Sequence, residues 1–441
     1  MTVWRRVRRA FRWVPLFVFA MGLGFAAAIL TGPQTGSAVA TGETTFLQIF
    51  SKKTATGNWF PDRFEHSGVL RYDPARTQPG YTLYTVAPDL SVHLIDMNGR
   101  EVHRWFVPKD EAIPEVKSLR TLYGLLEPQV EGGYLYPNGD LILVYEVKSL
   151  GFPATPLLKL DKDSHIIWRS TIASHHAIEI AGDRIYALTG AMMGELLAMP
   201  PTLPERAITA FAEHVSILDS SGRTLSSQSI GEAMGNTKDM RILDEVLLGP
   251  VLDTLHSNSL DVLTEQTARF IPGAKPGNVL ISLRNLDMLV VMDLDSDTIV
   301  WALRGSWRHQ HDAKMLANGH ILMFDNEGGL MHGRSRALEI DPNTAGIVWS
   351  YDGTENDPLN SADNRGGVQR LSNGNTLINE SNAGRLLEVT PDGSIVWEYV
   401  NPVQSEERGK KIIASFGLTA TRYEPSAVPF LGSEVSHEAI R

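Results

Sequence analysis

A short unit recurs along this chain: a strand-like run ending in Asp, a tight turn, and a second run ending in Trp. Copies lie at Leu94–Trp105, Leu158–Trp168, Val291–Trp301, Leu338–Trp349 and Glu388–Trp397, and a degenerate copy at Ile217–Leu225 lacks the Trp. Trp301 to Trp349 and Trp349 to Trp397 are each 48 residues apart. A further apolar run precedes each copy, as at Tyr81–Tyr84, Leu141–Tyr145, Arg184–Leu188, Asn278–Ser282, His320–Phe324 and Asn375–Ile378. Short apolar runs bounded by Asn-Gly or Asp-Gly turns are strand signals. A period of roughly 45–60 residues with about four strands per unit is the pattern of a β-propeller blade. One blade cannot bury both of its faces, whereas a ring of blades buries them against each other and leaves a central channel. Counting units predicts an all-β, six-bladed β-propeller over residues 61–402, with 403–441 as a C-terminal tail.

Three stretches interrupt the rhythm. Lys109–Gln129, Ala191–His214 and Gly231–Leu255 are richer in Ala, Glu, Leu and Met and predict short helical insertions. Insertions in repeat folds map to loops on one face, so these could cap a channel mouth.

The N-terminus predicts export. Arg5, Arg6, Arg8, Arg9 and Arg12 precede an uncharged apolar run from Val14 to Leu30, close to the shortest stretch that spans a bilayer. Positive charge before the run orients the N-terminus inward and the body outward. Residues 1–30 therefore read as a cytoplasmic stub with a transmembrane signal anchor, or as a signal peptide cut after Ala38-Val39-Ala40. Residues 31–60, rich in Gly, Thr and Ser, read as a linker. The expected location is the periplasmic side of the inner membrane, with that membrane and a membrane protein as partners. A formal net charge of −11 argues against a nucleic-acid partner. The chain has no cysteine, so disulfides and thiolate metal sites are excluded.

Aligning the units on the turn before the second strand brings out a set of histidines. Placing Ile180 on Leu316 puts His175 on His311, and Leu255-His256-Ser257-Asn258 falls in the same slot; Glu131 and Gly366 are the equivalents in two other units. The innermost strand of a blade starts beside the axis, so residues at one structural position converge on the channel. Imidazole serves as general base, nucleophile or metal ligand, and guanidinium is a planar fork for oxyanions. His175, His256, His311 and Arg336 are therefore the expected catalytic set, with Asn258, Arg334, Asp312 and Glu131 as substrate-binding residues. The three histidines could instead hold a divalent metal such as Zn²⁺ or Cu²⁺. No other cofactor is expected, since no Gly-rich phosphate loop and no Gly-x-Ser-x-Gly elbow occurs.

Together with Asp253-Thr-Leu-His-Ser-Asn258, Ile281-Ser-Leu-Arg-Asn-Leu286, Gln310-His-Asp312, Phe324-Asp-Asn326, Ser335-Arg336 and Gln369–Ile378, these residues resemble the bacterial arylsulfotransferases. The resemblance runs from about Gly80 to Pro402. It implies a periplasmic six-bladed propeller that moves a sulfuryl group between phenols, from a sulfate-ester donor and without a nucleotide. It also implies a sulfated histidine intermediate, with His256, His311 and Arg336 matching the residues that hold the sulfate. One departure stands out: the slot of the family's sulfated histidine holds Gly366. The resemblance then leaves His175 or His311 as nucleophile, or a lost activity. A three-histidine metalloenzyme and a non-catalytic binding or assembly propeller are the other readings.

Overall fold

The computed structural model describes residues 58–87, 89–108, 128–147, 156–190, 213–237, 253–328, 334–361 and 364–432. The calls on residues 1–57, and most of the three predicted insertions, fall outside these. Among the described residues no helix is long and apolar enough to cross a membrane.

The described chain is all-β. Five sheets of four strands and one of five each run outward from an inner strand. In chain order the inner strands are β1 (Pro128–Leu135), β2 (Ala173–Ala181), β3 (Ser257–Val262), β4 (His311–Met315), β5 (Gly367–Arg370) and β6 (Phe416–Tyr423). Each touches the next, and β6 touches β1, so the ring of inner strands closes. This is a β-propeller.

Strand periodicity explains the packing. Leu141 and Leu143 face the sheet of Leu83, Val92 and Trp105, while their neighbours Ile142 and Val144 face that of Ile185, Ala187 and Leu218. Alternate side chains leave a strand on opposite faces. A strand with apolar residues at every position therefore buries both faces, which is why these runs are continuous rather than alternating. The same pairing recurs around the ring, each adjacent pair of sheets sharing one apolar cluster. Each fully buried Leu, Ile or Val contributes on the order of 1.5–3 kcal/mol.

The Asp…Trp unit ties several sheets to their neighbours. Trp168 Nε1 donates to Ser220 O at 3.0 Å, Trp349 Nε1 to Pro391 O at 2.9 Å, and Trp397 Nε1 to Met97 O at 2.9 Å. In each case the acceptor follows the first residue of the turn in the next sheet, namely Asp219, Thr390 and Asp96. His103 makes the equivalent link in the first sheet, Nε2 donating to Lys162 O at 2.8 Å, while Trp105 Nε1 donates to Gly139 O.

Two domain boundaries need correction. The expected tail is part of the ring: β6 pairs with Tyr81–Val86 as the innermost strand of the first sheet. Gln404–Glu407 and Lys410–Ala414 form a three-stranded sheet with Trp59–Pro61, so the end of the expected linker is structured too. Gly68–Tyr72 adds the outermost strand to the last sheet. The ring is thus closed from both chain ends. The strands that close it lack the Asp…Trp pattern, which is why the repeat count passed over them. Of the predicted helical insertions, the described residues contain α1 (Ile230–Gly235), with a further single turn, α2, at Glu265–Ala268.

Candidate active site

The inner strands surround a cavity of about 440 Å³. Strand register defines which residues correspond around it. Ile180, Val262, Met315, Arg370, Arg422 and Leu135 pair with second-strand residues that in turn pair with the residue before each third-strand turn. Four positions before those reference residues stand His176, Asn258, His311, Gly366, Leu418 and Glu131. The first five line the cavity.

This corrects the histidine alignment. The turn from Ile180 to Ile185 is one residue shorter than that from Met315 to Ile321, so Ile180 matches Met315, not Leu316. His176, not His175, corresponds to His311. A one-residue slip changes the face a side chain presents. His175 accordingly lies in the protein, 6% exposed, and is not among the cavity-lining residues. His256 is likewise out of register, its slot being taken by Asn258. It remains next to the ring, its imidazole edge-on to His176 with centroids 4.9 Å apart.

Bulged inner strands make these departures from ideal pairing possible. Register shifts occur between Ser174 and Ile178, Ser257 and Ser259, and His311 and Lys314. His176, His256 and Asp312 have φ of 54°, 48° and 51°. Left-handed backbone at a non-glycine residue costs on the order of 1–3 kcal/mol and concentrates at functional sites, as bulges do.

His311 is held in a defined protonation state. Its Nδ1 donates to Asn326 Oδ1 at 2.7 Å and to His309 O at 3.0 Å. Asn326 Nδ2 donates to Ser361 O at 2.6 Å and Arg365 O at 2.7 Å, which fixes the amide with its oxygen toward the imidazole. With two acceptors at Nδ1, the proton sits there and Nε2 keeps its lone pair. Burial, then the Arg284 charge and that of His256, pushes the His311 pKa down to about 3. His311 is therefore neutral at physiological pH. Burial and the His256 charge also push His175 down to about 4. His175 Nδ1 and His176 Nδ1 share a hydrogen bond at 3.0 Å.

His256 is oriented by a carboxylate, its Nδ1 in a short hydrogen bond with Asp253 Oδ2. Burial pulls Asp253 upward, but the hydrogen bond and charge of His256 prevail and hold it below the usual carboxylate range. Beneath them, Ser257 N donates to Glu213 Oε2 at 2.7 Å. Burial, then the Asp253 charge, pushes Glu213 up to about 7. The turn after the neighbouring strand reaches the same region, Arg284 N donating to His256 O at 3.2 Å.

The other expected site residues fall in different places. Arg336 does not line the cavity. Its Nε donates to Asp325 Oδ2 at 2.8 Å and its Nη2 to Ser306 O at 2.5 Å. It therefore braces the Asp325-Asn326 segment that holds His311. Arg334 is half-exposed and away from the cavity lining. Asn258 and Asp312 do line it; Asn258 Nδ2 donates to Gln310 O at 2.8 Å, and Asp312 Oδ2 accepts from Val368 N at 2.8 Å. Glu131 is buried against Arg365 at 3.3 Å, an ion pair between the first inner strand and the segment that leads into the fifth. Gly366 has φ 118°, and a Cβ there would meet the Phe324 ring at 2.5 Å. That slot has no room for a histidine.

Nδ1 of His175, His256 and His311 are turned respectively to His176, Asp253 and Asn326, which leaves Nε2 of His311 as its free ring nitrogen. Among the described residues no group of three or more His, Asp or Glu is placed to hold a metal ion. Asn326, Asp253, Glu213 and His176 were not expected as site residues. Asn326 and Asp253 were visible in the motifs Phe324-Asp-Asn326 and Asp253–Asn258; the approach of Glu213 to Ser257 is a long-range contact with no local signal.

Residues 248–402 match the family model described as Arylsulfotransferase (ASST). The match spans β3, β4 and β5 and contains Asp253, His256, His311, Asn326 and Gly366. No curated protein sequence matches the chain. Among solved structures, a Bacteroides caccae protein of unknown function is similar at 11% identity and TM-score 0.46, over 77% of this chain and 98% of that one. A streptogramin B lyase is similar at 11% identity and TM-score 0.41, over 83% and 99%. The WD40 β-propeller domain of Doa1 is similar at 10% identity and TM-score 0.41, over 82% and 99%.

Proposed function

We propose that the six sheets are the blades of a six-bladed propeller that transfers a sulfuryl group from an aryl sulfate to a phenol, with His311 as nucleophile. The observation that carries this is the Asn326–His311 pair: a neutral imidazole, its tautomer fixed, on a ring that borders the cavity. The match of residues 248–402 to the arylsulfotransferase model supports the reaction class.

In this scheme His311 Nε2 attacks sulfur. The N–S bond forms as the bond from sulfur to the aryl oxygen breaks, and the leaving phenolate takes a proton from His256. The Nδ1–H donated to Asn326 stabilises the charge left on the sulfated ring. The acceptor phenol then gives its proton to His256 as its oxygen attacks sulfur, and His311 returns to its neutral state. Asp253 orients His256 for both proton transfers. Arg284, whose charge reaches both His311 and Asp253, suits the neutralisation of the sulfuryl oxygens better than Arg336 does. Gly366 in the family's nucleophile slot moves the covalent step to His311.

The arginine-rich N-terminus supports a location on the outer side of the inner membrane. The test is transfer from 4-nitrophenyl sulfate to a phenol acceptor, followed by nitrophenolate release. Turnover that disappears in His311→Asn and falls strongly in His256→Asn supports the proposal. Absence of turnover in the wild-type protein would favour a binding propeller.

A further inference from the structure

His256 stands between two anchored neighbours. Leu255 is fully buried in the cluster of Leu188, Val215 and Leu283, and Ser257 is fully buried at the start of β3. Between them His256 takes φ 48°, and its side chain stays 25% exposed, edge-on to His176. The ties on this turn come from two sheets. Asn285 N donates to Leu255 O at 3.2 Å and Asn285 Nδ2 to Asp253 O at 2.6 Å, so the sheet of β3 holds the turn by its carbonyls. Ser257 is held by the neighbouring sheet. Glu213 opens the strand Glu213–Asp219, third from the axis in the sheet of β2. Its buried Oε2 accepts from both Ser257 N and Ser257 Oγ. One carboxylate oxygen thus satisfies two buried donors of the residue that follows His256. Leaving such donors unmade is costly, so this clamp favours the left-handed turn that aims the imidazole at His176.

The clamp also carries a charge. Among the described residues, Asp253 and His256 act on Glu213 from the turn before β3, and His175 on β2 feels the same two charges. Arg284 acts on Asp253 in turn. His214, next on the strand of Glu213, leaves on the opposite face. Burial and then the Asp253 charge push Glu213 up to about 7, while the His256 charge opposes them. That last interaction is mutual: an ionised Glu213 favours the imidazolium at His256. Glu213 gains its charge as pH rises, which is when a general acid otherwise loses its proton.

We propose that Glu213 is a positioning residue for His256: through Ser257 it fixes the direction of the imidazole, and its negative charge keeps His256 protonated for the leaving aryloxide at neutral to alkaline pH. The role given to His256 rests on the sulfuryl-transfer reading, but the clamp itself is measurable without transfer.

Glu213→Gln keeps an oxygen acceptor for Ser257 and removes the charge, whereas Glu213→Ala removes both. In the full chain labelled with ¹³C-histidine, the His256 resonance is assigned by its absence in His256→Asn and followed by NMR against pH. Its midpoint is expected to fall by at least about half a pH unit in Glu213→Gln. Turnover then compares phenyl sulfate, a poor leaving group, with 4-nitrophenyl sulfate at about pH 5.5 and about pH 8.5. At the acid pH Glu213→Gln should match the wild-type protein within about twofold, because Glu213 is then protonated. At the alkaline pH it should lose about tenfold in kcat on phenyl sulfate at nearly unchanged KM, with 4-nitrophenyl sulfate hardly affected. Glu213→Ala, which also releases Ser257, should lose transfer at both pH values; where it fails to fold, Glu213→Gln decides alone. An unmoved His256 titration in Glu213→Gln, or a loss equal at both pH values and for both esters, overturns the proposal. A shifted titration in a protein that transfers nothing supports the clamp and refutes the reaction, and transfer with an unmoved titration does the reverse.

Discussion

The six inner strands carry one structural position around the cavity, and its two halves do different work. On β2, β3 and β4 it holds His176, Asn258 and His311, backed by Asp253 and Asn326. Around β5, β6 and β1 it holds Gly366, Leu418 and Glu131, and the surrounding interactions close the ring. Arg365 reaches Glu131 at 3.3 Å, Ser415 Oγ at 2.9 Å and Asn58 Oδ1 at 3.1 Å. One arc presents imidazoles to the cavity; the other uses the same positions for close packing and an internal ion pair. A ring needs a seam, and the residues at the seam are taken up by joining the chain's ends.

This division can be broken most forcefully at the seam. Ending the chain after Pro402 removes β6, leaves the first sheet without its innermost strand and exposes the apolar cluster of Tyr84, Ile95 and Leu377. Loss of cooperative thermal unfolding is expected, read by circular dichroism; a truncated chain that melts cooperatively would contradict the closing role of β6. Arg365→Met should leave Glu131 buried without its cation and cost about 3–5 kcal/mol in denaturant unfolding.

The chemical arc should respond in the opposite way. His311→Asn should lower transfer by roughly 10⁴-fold or more while changing unfolding free energy by no more than about 1–2 kcal/mol. Asn326→Leu, which releases the tautomer, should cost about 10²-fold in kcat at nearly unchanged KM. Gly366→His sharpens the comparison further. It places a nucleophile where the family has one, yet it should lower stability through the Phe324 clash and the positive φ, and leave His311 as the essential residue.

The most gradual expected effect is in pH dependence. His311 titrates near 3 in the folded protein, and a free histidine near 6.5. Between those values the unfolded chain binds the extra proton, so stability rises with pH across the window. His311→Asn should flatten that rise by at most about 1.4 kcal/mol per pH unit. Glu213, pushed up to about 7, acts in the reverse sense, its folded state holding the proton between about 4.5 and 7. Unfolding of Glu213→Gln across that range separates the two.

The sequence was legible where structure is local and repeated. The Asp…Trp units disclosed strands and turns because several of them use the same link to the next sheet, as Trp168, Trp349 and Trp397 show. It was less legible where the chain departs from the repeat. β6 joins the first sheet across more than three hundred residues, with no motif of its own. The choice between His175 and His176 turned on one residue of turn length, and Asn258 displaced His256 through the bulge beside it. Arg336 looked like an oxyanion ligand because a guanidinium at the start of a strand can be one; its partner Asp325 emerges only from cross-strand pairing. Gly366 looked like a missing residue, whereas the Phe324 ring fills the space a side chain would need.

The most direct measurement is a covalent one. The full-length protein is incubated with 4-nitrophenyl sulfate without acceptor, quenched in alkali to preserve an N-sulfated imidazole, digested, and its peptides sequenced by mass spectrometry. The account predicts one sulfuryl adduct, on His311, that disappears when a phenol is added. An adduct on His176 or His175, or turnover with no histidine adduct at all, would contradict it.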